Sequence, residues 1–167
     1  MLKKWNLEND ISLGIEYGDY DKNITASSQQ WEKYFPIYAK LNSPTSWCPS
    51  SVDKDNHPWI QVNFKDVKFI TSITLQGRKD ADQYVTKFRI LYSKDGSFFE
   101  HLEQFPGLSN VNETIKRLFT IPVYCKAIRL QALEYNNHPS LRFELGYIPD
   151  YLAQIMIKNF KNNETPK

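Results

Sequence analysis

Charged side chains are concentrated in one short segment of the chain, Gly77-Arg-Lys-Asp-Ala-Asp-Gln83. Arg78, Asp80 and Asp82 carry guanidinium and carboxylate groups, which form strong hydrogen bonds and could hold the hydroxyls of a sugar. The same residues also suit an Arg78–Asp80 or Arg78–Asp82 ion pair that only shapes the loop and stabilises it by less than about 1 kcal/mol when exposed. The residue types alone support the two interpretations equally.

A sugar site would need an aromatic ring and further polar groups beside this segment. Trp31 or Tyr34 could supply the ring, since the apolar face of a sugar stacks on an aromatic side chain. Asp53, Asn137 and His138 could add a carboxylate, an amide and an imidazole. These candidates are far apart in the sequence, so only the fold can bring them together.

The spacing Asp80-X-Asp82 is also a fragment of a calcium-binding loop. A complete loop of that kind requires more oxygen ligands at fixed spacing than this segment offers. We therefore expect no cofactor and no metal site, and keep a structural calcium ion as the alternative.

Signals for catalysis and for nucleic-acid binding are missing from the sequence. It contains no Gly-X-Ser-X-Gly, no His-Glu-X-X-His and no phosphate-binding loop. His57, His101 and His138 have no nucleophile at motif spacing. The net charge of +2 is too small to indicate a nucleic-acid partner. We predict a binding protein that is not an enzyme and has no nucleic-acid partner.

The elements that must position these residues are predicted to be strands. In Trp59-Ile-Gln-Val-Asn-Phe64 apolar and polar residues alternate, as in a strand with one buried face. Asp95-Gly96 predicts a hairpin turn. Strands are predicted at 24–27, 59–64, 69–76, 85–93, 97–102, 114–120, 126–133 and 141–146. Their number and spacing predict an all-β fold, an antiparallel jelly-roll β-sandwich of about eight strands.

Antiparallel order sorts the connections between these strands into two groups. The short turns at 65–68, 94–97 and 121–125 are predicted to share one end of the sandwich. The long connections, which are rich in aromatic and polar residues, are predicted to share the other end and lie at 43–58, 77–84, 103–113 and 134–140. Rigid sandwiches commonly carry binding sites on such loops, so we place the candidate site there.

The chain is predicted to hold one domain with short tails. Residues 1–12 are interpreted as an N-terminal extension, 13–148 as the domain, and 149–167 as a tail with a short helix at 151–160 followed by disorder. No apolar run is long enough to span a membrane, and the basic N-terminus is not followed by the apolar run of a signal peptide. The sequence therefore predicts either a cytosolic protein or a domain of a longer secreted chain.

Two cysteines and three glycosylation sequons bear on the cellular setting. Cys48 and Cys125 match no metal-binding spacing, and either a disulfide or two buried thiols would explain them. The sequons begin at Asn23, Asn112 and Asn163 and give weak support for secretion.

Ten short motifs occur in the order and spacing of a known family. They are Leu13-Gly-Ile-Glu-Tyr-Gly18, Ile24-Thr-Ala-Ser-Ser28, Ala39-Lys-Leu-Asn42, Trp47-Cys-Pro49, Trp59-Ile-Gln-Val-Asn63, Gln76-Gly-Arg78, Asp80-Ala-Asp-Gln-Tyr-Val-Thr86, Tyr92-Ser-Lys-Asp-Gly96, Ala127-Ile-Arg-Leu130, and Asn136-Asn-His138 with Leu141-Arg-Phe-Glu-Leu145. Together they make residues 13–147 resemble the discoidin family, also called the coagulation factor 5/8 type C domain.

The resemblance implies an eight-stranded, galactose-binding-like jelly roll and a non-catalytic module of extracellular adhesion proteins. Such modules bind sugars, anionic phospholipids or proteins through loops, called spikes, at one end. Arg142 falls where relatives place an arginine below the spikes, although it could instead pair with Glu144 or a loop carboxylate. Two features depart from the family. The disulfide that often joins the domain ends is absent, and the Trp-Ser-Pro-like element after the first spike reads Tyr34-Phe35-Pro36.

Three functions follow as expectations. The first is a carbohydrate-binding, galactose-type, lectin-like adhesion module whose partner is a carbohydrate or glycoprotein. The second is binding to anionic phospholipid, with Trp31, Tyr34 and Phe35 entering the membrane interface, although Glu32 opposes an anionic surface. The third is binding to a protein receptor. We favour the first, in an extracellular or cell-surface setting as part of a larger secreted protein.

Overall fold

The computed structural model describes residues 10–162. Within these residues seven strands and one α-helix form. The strands are β1 (Ile11–Ser12), β2 (Ile24–Ala26), β3 (Trp59–Gln76), β4 (Tyr84–Ser93), β5 (Glu100–Pro106), β6 (Thr114–Asn136) and β7 (Arg142–Ile148), and the helix is α1 (Asp150–Asn162). The all-β prediction is confirmed, as are the early strand near residue 24 and the helix in the tail.

The strands of the described chain form one antiparallel sheet in the order β1-β7-β3-β6-β4-β5, with β2 paired to β3. Two predicted turns are wrong, because residues 65–68 and 121–125 lie inside the long strands β3 and β6. Register shifts in the β3–β6 pairing lie between Asn63 and Lys68 and between Ile70 and Ser72. Residues 64–67 of β3 are left unpaired at the first shift and include Lys65 and Asp66, so their sequence resembles that of a turn although the strand continues.

The long strands must bend to fit the domain. A straight strand of the length of β3 would extend roughly 60 Å, which exceeds the width of a domain of this size. Ile60 and Val62 from the first half of β3 belong to the same buried cluster as Ile73 and Leu75 from its second half. The sheet therefore folds across one core, and the fully buried Trp47 packs into the core from the loop side.

The four long connections meet at one end of the sheet, as predicted. The Lys79 amide donates to the Thr45 carbonyl, and the Asn137 side chain donates to the Asp82 carbonyl. The Tyr84 hydroxyl donates to the Ser109 carbonyl. These contacts tie the loops around residues 45, 79, 109 and 137 to one another.

A buried carboxylate attaches the N-terminal strand to the sheet. Asp10 accepts hydrogen bonds from the Thr71 and Ser72 hydroxyls and pairs with Lys116 at 3.1 Å, with its side chain only 3% exposed. Gly146 on β7 makes this possible, because a Cβ at that position would overlap Ser72 Oγ and both Asp10 carboxylate oxygens. Asp10 and β1 thus form a non-covalent tie between the N-terminal strand and β7, the last strand of the sheet.

Helix α1 packs one face against the sheet. Ala153, Leu152 and Met156 contact a small cluster that contains Phe69 and Ile148. Asp150 accepts a hydrogen bond from the Tyr124 hydroxyl at 2.9 Å. Burial, with a smaller contribution from this bond, raises the pKa of Tyr124 to about 12. Among the described residues no helix has the length and apolarity to cross a membrane. Disorder was predicted for residues 161–167, and this is wrong for Lys161 and Asn162, which belong to α1. Residues 163–167 and most of the predicted N-terminal extension lie outside the described residues.

Both cysteines are free buried thiols, so the disulfide alternative is not realised. Cys48 lies among the loops, where it accepts a hydrogen bond from Ser140 Oγ at 3.1 Å. Cys125 pairs across from Lys68 on the bent part of the sheet, and burial raises its pKa to about 12.

We expect neither thiol to react with a thiol-specific reagent such as dithionitrobenzoate in the native protein. The thiolate is the reactive form, and both sulfurs are buried with raised pKa values. Two equivalents should react in denaturant, as the sequence contains two cysteines. Fast reaction of one native thiol would contradict the packing around it.

Candidate functional site

A hydrogen-bonded network centred on Arg78 lies at the loop end. Arg78 Nε donates to Asp80 Oδ1 at 2.6 Å, and its Nη1 donates to Gln83 Oε1 at 3.0 Å. Its Nη2 donates to the Tyr34 hydroxyl at 2.6 Å, and this hydroxyl donates to Asp80 Oδ2 at 3.2 Å. Of the two predicted alternatives, the Arg78–Asp80 ion pair is the one present, and it is part of a larger set of hydrogen bonds.

Local structure positions each member of this network. Tyr34 ends a short 3-10 turn, Glu32–Tyr34, and its carbonyl accepts the Cys48 amide. Arg78 follows β3 after Gly77, and its amide donates to the Gln83 carbonyl, which closes the loop on itself. The side chains therefore come from two loops that the backbone already holds together.

The hydrogen bonds of the network favour the charged forms of Arg78 and Asp80. The hydrogen bond to Asp80 raises the pKa of Arg78, and the bond from Arg78 lowers the pKa of Asp80 below its ordinary value. Burial raises the pKa of Tyr34. The Arg78 side chain is 13% exposed and that of Asp80 39%, so the carboxylate remains within reach of a ligand hydroxyl.

Trp31 is the exposed aromatic residue of the first spike. Its side chain is 70% exposed, and its ring centroid lies 6.2 Å from that of Tyr34 in an edge-on arrangement. Tyr34 is buried, and the guanidinium of Arg78 covers its ring at 4.3 Å. The predictions that Tyr34 could be the stacking ring or enter a membrane are therefore wrong, because its position in the turn directs it inward. Phe35 is half-buried.

His138 and its neighbours form one side of the site. His138 Nε2 lies 2.8 Å from the Pro49 carbonyl and 3.4 Å from Gln30 Nε2, and burial lowers its pKa. Asn137 adopts a left-handed backbone conformation and donates its amide to the Asp82 carbonyl at 2.7 Å. Asn137 therefore shapes the loop, and Asp82 contributes its backbone while the residue is exposed to solvent.

One predicted site residue, Asp53, takes no part in this network. Asp53 is exposed on a turn, whereas the neighbouring Asp55 accepts hydrogen bonds from the Ser27 and Ser28 hydroxyls, each at 2.5 Å. The spacing of the acids did not distinguish Asp53 from Asp55, since only the folded loop shows which carboxylate faces the serines.

Arg142 is buried and does not pair with Glu144. It donates to the carbonyls of Gly77 at 2.7 Å and Ser43 at 3.0 Å. Glu144 instead accepts the amides of Ile15 and Glu16. The ion-pair alternative for Arg142 is wrong, because Arg142 donates to backbone carbonyls and Glu144 accepts from backbone amides.

Sequence reasoning missed three residues of the site. Gln83 joins Arg78 to Ser140, whose hydroxyl donates to Gln83 Oε1 at 2.8 Å, and Ser140 also contacts Cys48. Gln83 lies in the charged segment and could have been included. Ser140 and Cys48 gave no signal, since small polar residues are common in loops. Within residues 10–162 no group of three or more His, Cys, Asp or Glu side chains could hold a metal ion.

Comparison of the sequence with known proteins reveals a family. The F5/8 type C domain matches residues 23–145, more than half of the chain. Retinoschisin of Takifugu rubripes is 30% identical over 148 residues, which cover 80% of this chain and 53% of that protein. Coagulation factor V of Bos taurus is 31% identical over 151 residues, which cover 80% of this chain and 7% of that protein. The chain spans about half, or much less, of the length of these relatives.

Solved structures show the same fold. Discoidin II of Dictyostelium discoideum matches with a TM-score of 0.76 at 24% identity, over 85% of this chain and 59% of that one. The family 32 carbohydrate-binding module (CBM) from Clostridium perfringens NanJ, in complex with galactose, matches with a TM-score of 0.65 at 16% identity, over 82% of this chain and 98% of that one. These neighbours are galactose-binding-like β-sandwiches, which confirms the predicted fold class.

The family match covers the strands β2 to β6 and all the loops that build the Arg78 network. Members of this family are generally non-catalytic binding modules. The chain belongs to the F5/8 type C, or discoidin, domain family.

Proposed function

We propose that this chain is a carbohydrate-binding adhesion module that takes a galactose-type sugar at its loop end. The observation that carries the proposal is the exposed Trp31 ring beside the fixed Arg78–Asp80 pair. A sugar presents an apolar C–H face and several hydroxyls, so it needs a ring and rigid polar groups at the same place. Trp31 supplies the ring and Asp80 supplies an accessible acceptor.

Rigidity of the polar groups supports this choice of ligand. Arg78 and Asp80 are held by Tyr34 and Gln83, so little conformational entropy is lost when a hydroxyl binds. His138 is held by its contacts with the Pro49 carbonyl and Gln30, and it adds another polar group to the site. A site built in this way favours a small ligand with hydroxyls in defined directions.

The relatives add support to the proposal through the shared fold. One neighbour is a carbohydrate-binding module with galactose bound, and another, from Clostridium perfringens, is a module in complex with GalNAc-β-1,3-galactose. We further propose that the chain acts without catalysis or a cofactor and is part of a larger secreted or cell-surface protein, with a carbohydrate or glycoprotein as its partner.

Replacement of Trp31 by Ala is expected to weaken galactoside binding about tenfold, or by about 1.4 kcal/mol, since the ring under the apolar face of the sugar is lost. The melting temperature should stay unchanged, because the side chain is 70% exposed. Calorimetric titration with lactose and thermal denaturation would check both. Phe98→Ala is the matched control, as Phe98 is also 70% exposed but lies on the hairpin between β4 and β5.

The exposed Trp31 is also the one observation that favours binding to anionic phospholipid. Flotation with phosphatidylserine vesicles separates the two functions. Lactose binding without flotation supports the proposal, whereas flotation that depends on Trp31 without lactose binding would replace it by the lipid function. Failure of both would leave a protein receptor as the partner.

A further inference from the structure

A second cleft lies beside the Arg78 network, where the loop after β3 approaches the start of β6. It has a volume of about 230 Å³, and its lining includes Lys79, Arg142, Gln76, Glu113 and Thr114. Val111 is the one apolar residue among those that line it. The cleft is therefore a polar site that differs from the aromatic surface at Trp31.

The lining of this cleft has an excess of positive charge. Arg142 is 6% exposed, and its hydrogen bonds go to the neutral carbonyls of Gly77 and Ser43. Neither Arg142 nor Lys79 forms an ion pair with an acidic side chain in residues 10–162. A buried guanidinium without an acidic partner is energetically costly, so a bound anion would stabilise it.

The one acid of the lining does not neutralise this charge. Glu113 Oε2 accepts both the amide and the hydroxyl of Ser109, each at 2.8 Å. These two bonds lower the pKa of Glu113 and hold its carboxylate at the base of its own loop. Glu113 stays charged and offsets only one of the three positive lining residues, Arg78, Lys79 and Arg142.

Neutral donors complete the cleft. Gln76 Nε2 donates to Thr114 Oγ1 at 3.0 Å and to Asn42 Oδ1 at 3.3 Å. Because Thr114 Oγ1 accepts this bond, its own hydrogen is free to donate into the cleft. Asn112 adds a side-chain amide to the lining. Guanidinium, ammonium, amide and hydroxyl donors around one polar space are the groups that bind oxyanions.

We propose that this cleft is an oxyanion site that takes the sulfate or carboxylate group of an acidic saccharide. The choice of a saccharide rests on the proposed function, because one loop serves both sites. Arg78 covers the ring of Tyr34, which lies beside Trp31, and Arg78 and Lys79 both line the cleft. A sugar held at Trp31 can therefore extend an acidic substituent across this loop. The polar lining offers no surface for an acyl chain.

The test compares lactose with lactose 3′-sulfate, and both with inorganic sulfate, on the wild-type chain. We expect the sulfated sugar to bind about tenfold more tightly at low salt, with an advantage that falls as salt rises. Lys79→Gln should remove about three- to tenfold of that advantage, since an exposed charge contributes modestly. Lys54→Gln, which removes an exposed charge from the loop before β3, is the matched control and should change nothing. Inorganic sulfate should shift the amide resonances of Gln76, Lys79, Asn112 and Thr114.

Equal affinity for the two sugars, or an advantage that Lys79→Gln does not reduce, would overturn the proposal. So would vesicle binding that depends on Lys79 when the sulfated sugar does not bind. If inorganic sulfate shifts the four cleft resonances in a Lys79-dependent way and neither sugar binds, the oxyanion site stands and the galactose function alone fails.

Discussion

Replacement of Arg78 by Met is expected to lower the free energy of unfolding by about 2–3 kcal/mol and to weaken lactose binding more than tenfold. The substitution keeps much of the side-chain volume but removes four hydrogen bonds and the guanidinium that covers the Tyr34 ring. The Arg78 side chain is mostly buried, so these bonds are worth more than an exposed surface pair. Urea denaturation and calorimetric titration would measure the two effects.

The effect on stability should depend on pH in a defined direction. The pKa of Asp80 is lowered in the folded protein, so its contribution is present above its unfolded pKa and is lost as the pH falls. The destabilisation caused by Arg78→Met should therefore be full at neutral pH and shrink below about pH 4. Lys54→Met, an exposed substitution at the same end, is the control. Loss of binding in Arg78→Met without any loss of stability would show that the network is weaker than its geometry indicates.

Replacement of Gly146 by Ala is expected to lower the free energy of unfolding by about 2–4 kcal/mol. The new methyl group would overlap Ser72 Oγ and the Asp10 carboxylate, which must then move away from Thr71 and Lys116. The tie between the N-terminal strand and the sheet would be lost together with the close packing. Lactose binding should be retained at low temperature, since this tie is not part of the loop end.

A double-mutant cycle with Asp10→Ala identifies the cause. Asp10→Ala alone should cost about 2–4 kcal/mol, because it leaves two hydroxyls and an ammonium group without their acceptor. The double variant should be more stable than the sum of the two predicts, by roughly 1–2 kcal/mol, since both act on the same contact. Gly96→Ala is the control. It is strained by the backbone φ of +91° at Gly96, but its Cβ meets nothing within 4 Å, so its effect should be additive with that of Asp10→Ala. Additivity of Gly146→Ala with Asp10→Ala would refute the tie.

Much of the site could be predicted from the sequence because its residue types are unusual where they stand. Arg78 and Asp80 lie two positions apart in a loop, and their ion pair needs no distant element to form. The end of the sheet that carries the site also followed from the sequence, since antiparallel order places alternate connections at the same end. Trp31 was a candidate because few other roles suit a tryptophan among polar loop residues.

The errors arose where solvent exposure or a distant contact decides the outcome. Tyr34 and Trp31 have similar side chains three positions apart, yet a single 3-10 turn buries one and exposes the other. Asp53 and Asp55 lie two positions apart in one loop. Only the folded positions of Ser27 and Ser28 show that Asp55 accepts their hydrogen bonds and Asp53 does not. The bulges inside β3 and β6 resembled turns because both conformations leave polar groups unpaired.

The sequence by itself determined the all-β class, the family and the loop end, and it limited the partner of Arg78 to Asp80 or Asp82, because alternation of polarity, motif order and short-range spacing are local properties of the chain. The tertiary structure alone decided which aromatic ring is exposed, how Asp10 ties β1 to the sheet, and that the buried charge of Arg142 lines a second cleft. Each of these depends on contacts between segments far apart in the chain, whose distances the order of residues does not contain.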